Sequence, residues 1–296
     1  MLKHTKGRAS KVVEYKVPLY NFGAEHVFVI SGRKDTERRK KFIEAWNHFS
    51  KFEYTFIDAT FGKDISIPKL LDRKVLGRTF YDPNGSLSKN IVATALSHRK
   101  VYKAILDRND WSKRKFFLIL EDDARPTVDL VNDIYSGNYK KTLDKINKQY
   151  IDCVWWGRRT RKIAGSYVCE HLQIPFVKDD YSAHSYMINS ELAEQLLEGS
   201  SPIRYAADTF IDTFLKEKNK VVRSPFSSYI QQQGLLLGKY HMDKKDPDFL
   251  FSSNTQINYL VDNRFPPPFS NINKDIKKHI VEVTDHETTW KSIKLA

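Results

Sequence analysis

Cysteine is scarce in this chain. Cys153 and Cys169 are too few for a disulfide framework or a cysteine-ligated zinc site, and a reducing, cytoplasmic setting is the expectation. Long apolar runs are missing as well: the longest, residues 116–120 and 235–237, have the size of core strands and fall far short of the ~18 residues of a membrane span. The basic opening segment has no apolar h-region, so no secretory signal is expected. No internal repeat is found. Acid is in deficit, with 36 aspartates and glutamates against 49 lysines and arginines, and the net charge of +13 biases partners toward anions: nucleic acid, phosphorylated sugars or an acidic membrane surface. Aromatic residues are plentiful at 13%, which argues against disorder, and 296 residues suffice for one large α/β domain with a sizeable core.

Order is expected to begin at His26 to Ile30, a β-branched and aromatic run suited to a buried strand. Asp35 or Thr36 caps a predicted helix whose apolar positions Phe42, Ile43, Trp46, Phe49 and Phe52 recur at helical spacing. A second strand runs from Phe52 to Ile57 and ends at Asp58. Strand, helix and strand within about 30 residues make a βαβ unit and predict an α/β fold with a mostly parallel sheet. After a polar loop holding Asp82 to Gly85, a long helix is predicted from Ser88 to Asp107, with Ile91, Ala95, His98, Tyr102 and Ile105 on one face. Residues 115–120 form the clearest buried strand; it stops at Glu121, Asp122 and Asp123, and Ala124, Arg125 and Pro126 then break it. Further strands are expected at 151–156 and 183–188, and helices at 190–198 and 208–216. Beyond Gly238 the pattern weakens. The chain therefore divides into a basic N-terminal arm (1–24), an α/β domain (25–237) and a C-terminal extension packed on the core (238–296).

Three carboxylates directly after an apolar strand are the most informative feature. Ligands of open α/β sheets bind beyond the carboxyl ends of strands, and clustered oxygens on a rigid strand suit a hard cation, Mg²⁺ or Mn²⁺. Strand alternation would turn Glu121 and Asp123 to one side and Asp122 to the other, a clamp for a metal bridging a diphosphate. A solvated loop of acids after a core strand is the plainer alternative.

The surroundings of the triplet carry a family resemblance. Asn90 to Ile105, containing Ala95-Leu96-Ser97-His98, followed by Phe117 to Ala124, containing Leu120-Glu121-Asp122-Asp123-Ala124, resembles glycosyltransferase family 25, the lipopolysaccharide and collagen galactosyltransferase-like enzymes. Other positions follow in order: Val27 to Ile30 with Glu37-Arg38-Arg39, Phe56 to Ala59 with Gly62, Ser185 to Ser190, and Pro202 to Asp208. The resemblance spans about residues 25–235. It departs where the family usually shows a Gly-Glu-(Ile/Val)-Gly-Cys segment, since Lys89 to Thr94 stand there. It implies a GT-A type fold over residues 25–237, a nucleotide-sugar donor (usually a UDP-sugar), a divalent metal and inversion at the anomeric carbon. Glu121 and Asp123 are then the metal ligands, and Ile30, Arg33, Arg38, Asp58, Ser97, His98 and Asp122 the donor-binding set. Arginine suits phosphate contact and Asp58 ribose hydroxyls, while a buried His98 also suits a purely structural part. Direct inversion needs a base for the acceptor hydroxyl. Asp208 is the candidate, with Asp212, one helical turn on, the fallback; capping of its own helix is the alternative for Asp208.

For the acceptor, the charge favours double-stranded DNA, with the sugar added to a hydroxymethylated or already glycosylated cytosine as by some bacteriophage enzymes. Such an enzyme would work in the cytoplasm of a bacterial host. The basic tracts 33–41 and 158–162 flank the expected site, and Trp155 and Trp156 offer a stacking surface if exposed. A lipid-linked surface glycan at the anionic membrane surface is the alternative. A non-catalytic nucleic-acid-binding protein would explain the charge but not the acidic triplet.

Overall fold

A computed structural model describes residues 17–47, 49–50, 52–81, 88–108, 115–157, 183–224, 229–232 and 280–282. The elements run β1 (Val17–Pro18), β2 (His26–Ser31), α1 (Thr36–Trp46), β3 (Phe49–Ser50), β4 (Tyr54–Asp58), α2 (Ile67–Asp72), β5 (Leu76–Tyr81) and α3 (Lys89–Leu106). They continue with β6 (Phe116–Glu121), β7 (Ala124–Pro126), α4 (Val128–Ser136), α5 (Asn138–Lys148), β8 (Cys153–Trp155), β9 (Ser185–Asn189) and α6 (Ser190–Gly199). The last are β10 (Ile203–Tyr205), α7 (Ala207–Glu217), β11 (Val222–Arg223), β12 (Ile230–Gln232) and β13 (Ile280–Glu282).

The central sheet has six strands in the order β11-β8-β9-β6-β2-β4. β2 pairs in parallel with β4 and with β6, while β9 runs antiparallel to both β6 and β8. The sheet is thus mostly parallel, as expected. Its strands read as continuous apolar runs because both faces are covered. Val27, Val29, Leu118 and Leu120 enter one core with Trp46 and Trp156; Phe28, Ile30, Phe117 and Ile119 enter the other with Val101, Tyr102 and Ile211. A satellite core of Ile67, Leu71, Leu76, Phe80, Val92 and Ile203 lies under α3.

Local chemistry sets the helix starts. The Asp35 side chain accepts from Arg38 N–H at the start of α1, Ser88 from Ile91 N–H at α3, Thr127 from Leu130 N–H at α4 and Asn189 from Leu192 N–H at α6. Gly137, at φ 78°, turns α4 directly into α5.

The structure departs from the sequence expectations in four places. α1 ends at Trp46, before the last two residues of the aromatic period; Phe49 and Phe52 instead pack on the Trp46 ring, with centroids at 5.8 and 4.4 Å. Ala124 to Pro126 do not merely break the chain but pair antiparallel with β12. α2, β5, α4 and α5 occupy stretches for which no element was predicted. The N-terminal arm is shorter than residues 1–24. Leu19 and Phe22 are fully buried in the first core and Tyr139 O–H donates to Leu19 O at 2.5 Å, while residues 1–16 lie outside the described residues. Of the C-terminal stretch 238–296, Ile280–Glu282 are described, and they add an antiparallel strand to β5.

Candidate active site

Three parallel strands end side by side: Ser31 lies opposite Asp58 and Ile30 opposite Glu121. This register brings the end of β2 beneath the acidic turn that follows β6. Asp122 N–H donates to Ile30 O at 3.0 Å and Ser31 Oγ–H to Asp122 Oδ2 at 2.9 Å. From behind, Arg125 donates to the carbonyls of Asp122 and Ala124, both at 2.9 Å, and Trp46 Nε1–H to Ala124 O at 3.1 Å. The turn is therefore held mainly through its backbone groups, with Ser31 engaging one oxygen of Asp122.

Those carboxylates do not follow strand alternation. β6 stops at Glu121, and in the turn beyond it Asp122 and Asp123 converge on one guanidinium. Arg38 Nη2 contacts Asp122 Oδ1 and lies 3.5 Å from Asp123 Oδ2, which also accepts from Gln232 Nε2 at 3.3 Å. Asp123 Oδ1 is buried and has no hydrogen-bond partner among the described residues. Glu121 instead faces His98 Nε2 at 3.4 Å, keeps 21% of its side-chain surface open, and donates its backbone N–H to His184 O at 2.9 Å. The expected division, with Glu121 and Asp123 on one side and Asp122 apart, thus gives way because alternation requires extended chain.

The electrostatics record crowded negative charge. Burial, reinforced by Glu121, pushes the Asp123 carboxyl from its ordinary 3.8 to about 7. Burial also raises Asp122, against the pull of Arg38 and Ser31. Burial opposes the ionisation of Glu121 too, but the hydrogen bond and charge of His98, with His184 and Arg38, outweigh it and the group is lowered. Arg38 is raised: Asp122 and Asp123 overcome its own desolvation. Three acids against Arg38 and Arg125 leave an excess of buried negative charge, a setting that fits a cation. Among the described residues no three His, Cys, Asp or Glu side chains are grouped to hold a metal. A bound Mg²⁺ or Mn²⁺ would therefore take its remaining ligands from water and diphosphate, as these ions commonly do. The orphaned Asp123 Oδ1 and the partly open Glu121 are the oxygens that suit it.

A buried hydrogen-bond chain stands behind Glu121. His98 Nδ1 is 2.8 Å from Tyr186 Oη, which is 3.1 Å from Tyr102 Oη. Burial raises both phenols, so they stay protonated. The chain thus runs from Tyr102 through Tyr186 to His98, whose other ring nitrogen faces Glu121.

The other expected residues are distributed around this turn. Asp58 is 51% exposed, accepts from Arg39 Nη2 at 2.9 Å and takes Lys100 Nζ on its backbone oxygen at 3.0 Å. Arg39 also bonds Ser31 and lies over the Phe56 ring, so it ties β2 to β4. Ser97 Oγ accepts Thr60 N–H at 2.9 Å and donates to Ala93 O, pinning the loop after β4 to α3. The Ile30 side chain is in the second core, and Arg33 is exposed in the turn after β2. On α7, Asp212 is buried against Lys216 Nζ at 2.5 Å, whereas Asp208 is half-buried, with Oδ1 accepting Thr209 N–H at 2.8 Å. Sequence reasoning missed Ser31 and Gln232. The position of Ser31, last in its strand and aligned with Asp58, was the readable signal; Gln232, 109 residues from Asp123, offered none. Trp155 and Trp156 are fully buried and present no stacking surface. The tract 158–162 lies outside the described residues.

A mostly parallel α/β sheet ending in a buried acidic turn is consistent with a GT-A-like fold, and the chain is a glycosyltransferase. Residues 24–211 match glycosyltransferase family 25 (LPS biosynthesis protein), and the chain belongs to that family. No curated protein matches it. Among solved structures it resembles A197 from STIV at 14% identity, over 69% of this chain and 82% of that one, with a TM-score of 0.34. It also resembles a glycosyltransferase involved in the glycosylation of the major capsid of PBCV-1 at 10% identity, over 60% of this chain and 66% of that one, with a TM-score of 0.29. Neither likeness is close enough to bear on chemistry. No helix among the described residues is long and apolar enough to cross a membrane.

Proposed function

We propose that the protein is a metal-dependent inverting glycosyltransferase that moves a sugar from a UDP-sugar to a hydroxyl of a saccharide acceptor. The observation that carries this reading is the buried, unpartnered Asp123 Oδ1 beside Arg38, at the edge where β2, β4 and β6 end together. A divalent cation, when bound, neutralises the leaving diphosphate. Glu121 and Asp123 would hold it, Arg38 would supply further positive charge to the phosphates, and the exposed half of Asp58 would take the ribose hydroxyls. The acceptor oxygen attacks the anomeric carbon from the face opposite the diphosphate. The bond to the diphosphate oxygen breaks with its electron pair leaving on that oxygen, and the acceptor proton passes to Asp208. Asp208 suits this role better than Asp212 because it is partly open to solvent, whereas Asp212 is buried.

A saccharide acceptor accords with the family's description as an LPS biosynthesis protein. The DNA acceptor favoured by charge loses one support, since Trp155 and Trp156 are buried. The test is UDP release from UDP-sugars with Mn²⁺, offered either a truncated glycolipid or hydroxymethylcytosine DNA. Loss of turnover in Asp123→Asn and label in the glycolipid are expected. Undiminished turnover in that variant would overturn the metal assignment, and label in DNA the acceptor.

A further inference from the structure

Phe61 is open to solvent at the rim of the site and yet firmly held. It is one of four large apolar side chains exposed among the described residues, with Ile43, Tyr135 and Tyr150. A single exposed apolar residue calls for no explanation; the placing of this one does. Ile43 lies on α1, Tyr135 on α4 and Tyr150 just after α5, whereas Phe61 follows the end of β4, at the edge of the sheet where the acidic turn and Asp58 lie.

The segment that carries Phe61 is fixed on both sides. Ala59 N–H donates to Ser31 O at 3.0 Å and Thr60 N–H to Ser97 Oγ at 2.9 Å. Gly62 is buried against the start of α3, where a Cβ would lie 2.3 Å from Asn90 Oδ1. The ring itself rests on Gly32: a Cβ there would come 2.4 Å from Phe61 Cζ and 3.1 Å from Cε2. Gly32 is buried and is not among the glycines of positive φ, Gly23 and Gly137, so its torsion does not call for glycine. The space for the ring does. Lys63 Nζ, on an exposed side chain 5.6 Å from the ring centroid, is at the outer reach of a cation–π contact and yields to a flat ligand at little cost.

We propose that Phe61, seated on Gly32, is the stacking platform for the base of the donor nucleotide. The proposal rests on the nucleotide-sugar reading for its ligand. Gly32 directly follows Ser31, whose hydroxyl bonds Asp122 and whose carbonyl accepts Ala59 N–H. The acidic turn with Arg38, the 51% exposed Asp58 and the Phe61 ring therefore share one sheet edge, offering partners for a diphosphate, a ribose and a flat heterocycle. Every base has a π-face, so the platform contributes affinity and orientation and does not select uracil.

The test titrates the full chain, with Mg²⁺ present, with UDP and with inorganic pyrophosphate, which lacks the base. Phe61→Ala is expected to lower UDP affinity roughly 5- to 150-fold and to leave pyrophosphate affinity unchanged, while Phe61→Tyr keeps UDP binding. The uracil ring protons of bound UDP should show upfield ring-current shifts in wild type that are lost in Phe61→Leu. Gly32→Ala, which drives the ring from its seat, should weaken UDP binding in the wild-type background and have no further effect in Phe61→Ala. Equal UDP affinity in wild type and Phe61→Ala overturns the platform. Equal losses for UDP and pyrophosphate assign Phe61 to holding the loop and overturn it as well. Sugar transfer is scored separately: base-dependent UDP binding without transfer would sink the enzymatic reading alone, and transfer by Phe61→Ala at the wild-type donor KM would sink the platform alone.

Discussion

Arg38 and Asp122 form an ion pair that joins the first turns of α1 to the acidic turn after β6, and Asp123 shares the same guanidinium at 3.5 Å. The pair couples the βαβ unit to the carboxylates. In the absence of other cations Arg38 supplies the counter-charge that those acids need.

Replacing Arg38 by Met should therefore destabilise the metal-free protein by about 2 kcal/mol, the size of a charge-assisted hydrogen bond lost from buried acids. Mn²⁺ should raise the melting temperature of the variant more than that of the wild type. Calorimetric scans with and without Mn²⁺ check this; equal metal-induced shifts would show that Arg38 and the cation do not share the acids.

The raised Asp123 carboxyl makes stability depend on pH. Because its folded-state value is about 7 against an ordinary 3.8, the folded protein binds the proton more tightly than the unfolded chain across that window. Stability is thus highest toward the acid end of the window and falls as pH rises through about 7, by on the order of a few kcal/mol. The lowered Glu121 acts in the opposite sense only below its ordinary 4.5. Melting temperatures of metal-free protein at about pH 5.5 and about pH 8 should fall in that order, and Mn²⁺ should flatten the difference. A melting temperature that rises over this interval contradicts the assignment.

His98 is a positioning residue for Glu121. Tyr186→Phe removes the hydroxyl that bonds His98 Nδ1 and should cost about 1 kcal/mol of stability. It should also lower kcat with little change in donor KM, and shift the acid limb of the pH–rate profile upward as Glu121 loses support. A proportional loss of kcat at every pH would reduce the chain to core packing.

Much of this was legible in the sequence, and what was not has physical causes. The strands of the site were readable because a sheet covered on both faces needs unbroken apolar runs, as in Val27 to Ile30 and Phe117 to Leu120. α2 spans six residues, too few for a helical period, and the anchoring residues of α5, Tyr139, Thr142 and Ile146, are diluted by its lysines. The orientation of the triplet depended on where extended chain ends, which Ser31 and Arg38 decide from other elements. Gln232 reaches Asp123 only because β12 pairs with β7, a long-range contact that no local pattern announces.

The two acids of α7 should separate in function. Asp208→Asn should reduce kcat by about 10²- to 10⁴-fold, the usual weight of a general base, with the fold intact. Asp212→Asn deprives Lys216 of its buried partner and should lower the melting temperature first. Steady-state kinetics beside thermal scans check both; the reverse pattern would move the base to Asp212.

Gly157 offers a test of the site from a distance. A Cβ there would lie 2.1 Å from His184 Nε2 and 2.6 Å from Ile230 O, and β-carbons do not approach other atoms so closely. His184 is fully buried and accepts the Glu121 N–H on its backbone oxygen, while Ile230 opens the strand that carries Gln232 to Asp123. In Gly157→Ala the imidazole or β12 must shift, an overpacking that typically costs about 1–3 kcal/mol. Either movement disturbs a support of the acidic turn, from Glu121 on one side or Asp123 on the other. The variant should fold with a lower melting temperature and bind Mn²⁺ more weakly, whereas an equally destabilising core truncation away from this turn, Leu196→Ala on α6, should leave Mn²⁺ affinity unchanged. Equal losses of Mn²⁺ affinity in the two variants would mean that the acidic turn answers to global stability and not to the His184 and β12 supports.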